Sequence, residues 1–262
     1  MSIQLLDSVK SIERQYLTGE EPVLVLCSDM NAYICKYMRS SFAAYKLACE
    51  LVGAQMAMAW HLDTPEIAFV RIRPSHWPKG GQATLSIGSR MLDGVVDITP
   101  STYREVESSA KTLTQLLRIA LFDFWTANED RNANNANLLY DVEKEGLVSI
   151  DYGCIFNTAT FEFPLSQLTS TDTILYSGLF QYLVQDKSRA TLEAMVKPLR
   201  AYYLSCLNRC RRHGSEMAKA MPTDWNVPSA YVEKKIGQLF ESEWVDGVWS
   251  NFMECFTENI GK

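Results

Sequence analysis

Up to residue 90 the apolar positions fall into short blocks. Val23-Leu24-Val25-Leu26-Cys27 is continuously apolar and follows Pro22, which predicts a short strand buried on both faces. Residues 28–31 read as a turn and 32–37 as the hairpin partner. Over 41–60 the period changes. Phe42, Leu47, Leu51, Ala54 and Met58 recur at helical spacing, and Pro65 enforces a stop soon after. Residues 67–72 and 83–87 predict two more strands, with Pro74, Pro78, Gly80 and Gly81 marking the loop between them. Residues 7–17 show no clear period and receive no element. The expectation is an antiparallel sheet with one helix packed on it.

After Gly94 and Pro100 the pattern turns helical. Residues 102–127 carry Val106, Leu113, Leu116, Leu117, Ala120, Leu121 and Phe124 at helical spacing. A polar stretch follows to Asn137, then 138–140 and 147–150 predict a short hairpin. Beyond Asp151 the chain predicts helices over 173–186, 189–220 and 229–258, with Pro198 kinking or splitting the second. Trp225, Trp244 and Trp249 are expected as core or interlobe packing. The fold class is α+β, with a small sheet lobe of residues 1–95 and a mostly helical lobe of residues 96–262.

Composition supports a folded chain. Of 262 residues, 47% are hydrophobic and 11% aromatic, enough to build a sizeable core and to exclude wholesale disorder. No run of about 18 uninterrupted apolar residues exists, so no membrane span is expected. The 25 basic against 31 acidic residues argue against a constitutive nucleic-acid binder, because phosphate neutralisation needs clustered Lys and Arg. Residues 1–8 lack the basic and apolar blocks of a secretory signal. The seven cysteines are dispersed, odd in number and mostly in apolar surroundings, which suggests reduced thiols and a cytoplasmic location. Cys206, Cys210 and His213 offer a partial metal site on one helical face, or ordinary core thiols. Segment 189–220 has seven basic residues against two acids, either a docking face for an acidic partner or a solvated one.

The least ordinary segment is Asn128-Glu129-Asp130-Arg131-Asn132-Ala133-Asn134-Asn135-Ala136-Asn137. Five Asn in ten residues make a poor helix interior, yet the segment is bracketed by an apolar helix and an apolar strand that hold it. A carboxylate and amide oxygens pinned in a loop can orient a hydroxyl and ligate a hard divalent cation. A second carboxylate, Asp151, ends the apolar strand and precedes Tyr152-Gly153, where the glycine is expected to permit a sharp backbone departure. Each site alone is compatible with a capping turn. Together, Asp-x4-Asn and then Asp-x-Gly after a strand favour phosphoryl transfer.

Asp130-x4-Asn135 followed by Asp151-Tyr152-Gly153 resembles the catalytic loop and metal-binding Asp-Phe-Gly of kinase-like folds. The Asp130-Arg131 start and the Ile150–Gly153 ending look most like the HipA-like kinases and, more distantly, the phosphoinositide kinases. The resemblance implies a two-lobed protein-kinase-like fold that uses ATP and Mg2+. It implies Asp130 as base or orienter of the acceptor hydroxyl, Asn135 and Asp151 as ligands of Mg2+, and Asn137 as a possible accessory. It also asks for an early-strand Lys held by a helix Glu, which points to Lys36 and Glu50, with Arg39 and Lys46 as rival partners of Glu50. A charge at Glu50, inside an otherwise apolar helix, is costly unless paired. Thr18 and Gly19 in the loop before Val23 are the candidates for covering the nucleotide phosphates, although Glu20 and Glu21 would repel phosphate if turned inward. Ser89, in the stretch 87–91, is placed where an interlobe hinge would contact adenine. The HipA-like resemblance implies a protein Ser/Thr hydroxyl as acceptor, with a toxin–antitoxin setting as one context and a regulatory partner protein. The phosphoinositide-kinase likeness equally allows a small molecule or a lipid head group. A catalytically weak module that binds nucleotide or a partner is the alternative, and a helical interaction protein with a purely structural Asn-rich loop is a third reading.

Overall fold

The apolar block after Pro22 becomes β3 (Val23–Leu26), which pairs antiparallel with β4 (Ala32–Lys36), Val23 opposite Cys35 and Leu26 opposite Ala32. In this computed structural model residues 3–17, 19–78, 80 and 82–260 are described. Two strands had no expectation from the pattern, β1 (Gln4–Asp7) and, inside the stretch without clear period, β2 (Arg14–Gln15). With β5 (Ile67–Ile72) and β6 (Thr84–Arg90) they complete a six-stranded sheet in the order β1-β5-β6-β4-β3-β2. One pair departs from the antiparallel sheet expected. β1 runs parallel to β5, Gln4 opposite Ala68, and the intervening strands and helix supply the long crossover that a parallel pair requires.

The helix over 41–60 is α1 (Ser41–Ala59), capped by the Ser40 side chain, which accepts from the Ala43 N–H. Its residues are buried nearly all round, the signature of a helix enclosed on every side. It lies between the sheet and the helical half. The sheet's outer face has its own small core of Leu6, Val23, Val25, Tyr33, Cys35, Ala68 and Val70, whereas α1 and Ile87 belong to the large core shared with the helices.

β7 (Val95–Asp97), β8 (Leu138–Asp141) and β9 (Gly146–Ser149) form a second, three-stranded sheet. The helix expected over 102–127 begins later, as α2 (Ala110–Thr126), because Ser109 caps it by accepting from the Thr112 N–H. A brief element, α3 (Ile155–Ala159), follows the second sheet. Then come α4 (Gly178–Val184), α5 (Arg189–Val196), α6 (Leu199–Lys219), α7 (Ser229–Gln238) and α8 (Ser242–Asn259). Pro198 separates α5 from α6 as anticipated, whereas the single helix over 229–258 is two, broken at residues 239–241. Trp225 is buried and donates through Nε1 to the Leu85 carbonyl of β6 at 3.0 Å, so it ties the helical half to the sheet. Trp244 likewise donates to the Trp125 carbonyl.

Candidate active site

Strand periodicity aims Lys36. Along β4, Tyr33 and Cys35 enter the outer core, so Ile34 and Lys36 point the other way, toward α1. There the Lys36 ammonium meets three carboxylates: Glu50 of α1, Glu20 at 2.9 Å and Asp151 at 2.7 Å. The two rival partners of Glu50 are engaged elsewhere. Arg39 pairs with Glu21 at 3.1 Å, and Lys46 with Glu20 at 3.1 Å. The second Glu50 oxygen accepts from the Tyr152 N–H at 3.0 Å. Burial pushes the Glu50 carboxyl up to about 8. Burial opposes the charge of Asp151 as well, but Lys36 beside it and the Gly153 N–H leave its carboxyl below the usual range. Burial works against the Lys36 charge too, and Asp151, Glu50 and Glu20 together hold that ammonium well above its ordinary value.

The backbone device at Asp151 differs from the one anticipated. Asp151 itself takes the left-handed conformation, φ 61°, a conformation that costs free energy for a non-glycine residue. Gly153 serves close approach instead. A Cβ there would lie 3.1 Å from Glu50 Oε1, 3.4 Å from Glu20 Oε1 and 3.6 Å from Asp151 Oδ1. The missing side chain therefore lets three carboxylates crowd around one ammonium.

The Asn-rich segment is an ordered loop. Asn135 and Asn137 both donate through Nδ2 to Asp130 Oδ2, at 3.0 and 2.9 Å, and the Asn132 N–H closes the loop on the Asn135 carbonyl at 2.9 Å. With its amide nitrogen spent on Asp130, Asn135 has its amide oxygen left as a ligand atom. A carboxylate at Asp151 and amide oxygens in the neighbouring loop are the hard donors that suit Mg2+. Burial pushes the thiol of Cys154, which follows Gly153, up to about 12.

Two residues that hold this loop, Arg131 and Asp123, receive no role from the sequence. Arg131 is fully buried. It pairs with Asp123 of α2, donates through Nη2 to the Ile150 carbonyl at 2.8 Å and through Nε to the Asn137 carbonyl at 3.4 Å, and lies over the Tyr152 ring at 5.6 Å. It thus clamps the Asp130 loop to the strand that delivers Asp151. Burial pushes the Asp123 carboxyl up to about 6 against the pull of Arg131. The signal was available, since Asp123 sits in Leu121-Phe122-Asp123-Phe124-Trp125, as apolar a setting as that of Glu50. Glu129 is a third such residue. Its carboxylate accepts from Asn157 Nδ2 at 2.9 Å and Thr158 Oγ1 at 2.8 Å, holding α3, whose residues 156–159 all have φ between 53° and 59°.

The remaining candidates sort differently. Gly19 and Glu20 line a cavity of about 420 Å³ with Lys36, Arg39 and Lys46, while Thr18 lies outside the described residues. Ser89 is not in a connecting segment. It lies within β6, opposite Ile34 on one side and Ile67 on the other, because the strand runs on to Arg90, and the link to the second sheet starts at Met91. Cys206 and Cys210 are buried core thiols, and His213 turns outward to Glu216 at 3.1 Å, so the three do not converge on a metal. The basic segment is mostly a solvated face, with Arg189, Lys197, Arg211, Arg212 and Lys219 exposed. Within it Arg200 pairs with Asp246, Arg209 donates to the Ala59 carbonyl, and Arg211 donates to the Phe240 carbonyl. Among the described residues no helix is long and apolar enough to cross a membrane.

The HipA-like kinase family model matches residues 9–245. The structure is similar to that of the Helicobacter pylori proinflammatory kinase CtkA, with a TM-score of 0.55 at 14% identity, covering 95% of this chain and 98% of that one. A weaker likeness, TM-score 0.47 at 10% identity, links 95% of the chain to 73% of the Golgi casein kinase. No curated protein matches the sequence.

Proposed function

From the premise that the chain belongs to the HipA-like kinase family, we propose that it is an ATP- and Mg2+-dependent phosphotransferase acting on a protein Ser/Thr hydroxyl. The observation that carries this reading is the gathering of Lys36, Glu50 and Asp151 into one ion cluster beside a carboxylate, Asp130, oriented by two amides. Residues 1–95 would serve as the nucleotide lobe and 96–262 as the helical lobe, although the pairing of β7 with β8 draws the line back to the 91–94 connection.

In this reading Lys36 neutralises nucleotide phosphate charge and Glu50 holds the ammonium in place. Asp151 and the Asn135 amide oxygen would hold Mg2+, which when bound offsets the charge on the transferring phosphoryl group. The two amides fix Asp130 through Oδ2 and leave Oδ1 to take the acceptor's proton, a matter of positioning more than of proton affinity. Arg131 keeps Asp130 and Asp151 in fixed register.

Thermal unfolding with and without ATP and Mg2+, on wild type and Asp151→Asn, tests the site. A ligand that binds only the folded chain stabilises it by about 2.7 kcal/mol at roughly 100 times its dissociation constant. A Mg2+-dependent rise in wild type and none in the variant is expected, together with loss of phosphoryl transfer. Wild-type turnover in Asp151→Asn would sink the metal assignment. A second reading, a module of low turnover that binds nucleotide or a partner, is favoured by one observation: Glu20 already occupies Lys36. Transfer of labelled γ-phosphate that disappears in Asp130→Ala argues against it.

A further inference from the structure

The loop before β3 inserts an acid into the site. Glu20 bridges two lysines, with Oε2 2.9 Å from Lys36 Nζ and Oε1 3.1 Å from Lys46 Nζ. Its side chain is 27% exposed, and the two lysines are 15% and 24% exposed, so this is no rim contact. Oε1 also lies 3.4 Å from where a Cβ on Gly153 would sit, against the backbone next to Asp151. Lys46 is one helical turn before Glu50 on α1, on the same face, and both lysines line the 420 Å³ cavity.

A carboxylate presenting one oxygen to each of two ammoniums makes the contact a phosphate group makes with the same pair. Lysine binds phosphate as a point charge and accepts either anion. We propose that Lys36 and Lys46 form a two-ammonium subsite for the terminal phosphates of a nucleotide, and that Glu20 is an internal anion filling it until nucleotide displaces it. The inference rests on the nucleotide reading given above and adds to it a binding residue, Lys46, and a built-in competitor, Glu20.

Three carboxylates, Glu20, Glu50 and Asp151, face the two ammoniums while Glu20 is in place. Phosphates entering then would find both ammoniums already paired with the Glu20 carboxylate. Glu50 and Asp151 sit on α1 and directly after β9. Glu20 comes from the loop at the cavity edge and is the one of the three whose release leaves the core undisturbed. Released, it makes room at both lysines at once, so phosphate and Glu20 exclude each other.

Calorimetric titration of the full chain with ATP and Mg2+, with inorganic triphosphate and with AMP provides the test. A site open only about a tenth of the time binds about tenfold more weakly than an open one. Glu20→Gln and Glu20→Ala are expected to tighten ATP and triphosphate by about that factor and to leave AMP unchanged. Lys46→Met should weaken ATP and triphosphate and spare AMP, and Lys46→Arg should restore them. Suppose ATP binding is lost in Lys36→Met but is indifferent to the changes at Glu20 and Lys46. The kinase reading then stands and this inference falls. A drop in the unfolding midpoint of Glu20→Gln with unchanged affinities would mark a structural ion pair only and overturn it. Absence of nucleotide binding in wild type and every variant overturns both readings.

Discussion

The molecule contains two ion networks of the same elementary chemistry and opposite design. Around Arg131 the pair is dry: its side chain is 0% exposed and that of Asp123 1%. Every partner of the guanidinium is fixed, a carboxylate on α2, two backbone carbonyls and the Tyr152 ring. Around Lys36 the cation is a point charge, and its charged partners among the described residues are carboxylates, brought from a loop, a helix and the segment after a strand. The planar fork suits permanent geometry, because each N–H has one place to go. The ammonium suits exchange, because any anion in reach satisfies it. The first network holds the Asp130 loop in register, and the second is where a ligand can enter.

The sharpest way to break this comparison is to remove each cation. Arg131→Ala leaves Asp123 in the core without its partner, forced to take up a proton or to stay charged unpaired, which costs about 3–5 kcal/mol. Lys36→Met leaves two of its three carboxylates, Glu20 and Asp151, able to return to water, so the expected cost is nearer 1–3 kcal/mol, together with loss of phosphoryl transfer. Urea unfolding of both variants reads the difference directly. Equal costs would mean that the Lys36 cluster is scaffold as well.

The two networks meet at Tyr152, whose ring faces Arg131 and whose N–H binds Glu50. Gly53 of α1 makes room for it. A Cβ at position 53 would lie 2.4 Å from Tyr152 Cβ and 2.9 Å from its Cγ. Neither atom can swing away, being next to the backbone. Overpacking of this kind costs about 1–3 kcal/mol, against a gain of about 1 kcal/mol from replacing a helical glycine. Gly53→Ala is therefore expected to destabilise by about 1 kcal/mol net. A stabilised variant, by thermal unfolding, would show that Tyr152 is not held where the two networks need it.

The same contrast separates what the sequence revealed from what it hid. The hairpin of β3 and β4, α1 and the break at Pro198 follow from period and from proline, both local signals. β1 and β2 carry little pattern because they are short edge strands held by their pairing, β1 with β5 far along the chain and β2 with β3. Lys36, Glu50, Asp130 and Asp151 were legible because their spacing matches a known kinase arrangement. Asp123 matched no spacing and Arg131 entered only as part of the Asp130-Arg131 resemblance. Their pairing needed a different question, namely what pays for a charge amid Leu121, Phe122, Phe124 and Trp125. Gly153 was legible as special but for the wrong reason, since its conformation is ordinary and its lack of a side chain is what matters. Ser89, read as part of a connecting stretch, lies inside β6, because strand ends are set by pairing partners, here Ile34 and Ile67, and not by local composition.

Proton binding gives the gentlest probe of the two networks. Burial raises both internal acids, Asp123 from 3.8 to about 6 and Glu50 from 4.5 to about 8. A carboxyl that holds its proton more tightly when folded favours folding fully below its unfolded value, and that contribution is lost as pH rises through the folded value. The Asp123 contribution is thus spent by about pH 6, whereas that of Glu50 declines up to about pH 8. Asp151, shifted the other way by Lys36, adds stability above its unfolded value and loses it only in acid. Between pH 6 and 8, stability is therefore expected to fall as pH rises, by at most about 1.4 kcal/mol per pH unit for one proton. Urea unfolding across that range should show the slope retained in Asp123→Asn and flattened in Glu50→Gln. A slope that survives in Glu50→Gln would place the titrating group outside the Lys36 cluster. Glu50 would then be an ordinary charged partner of Lys36.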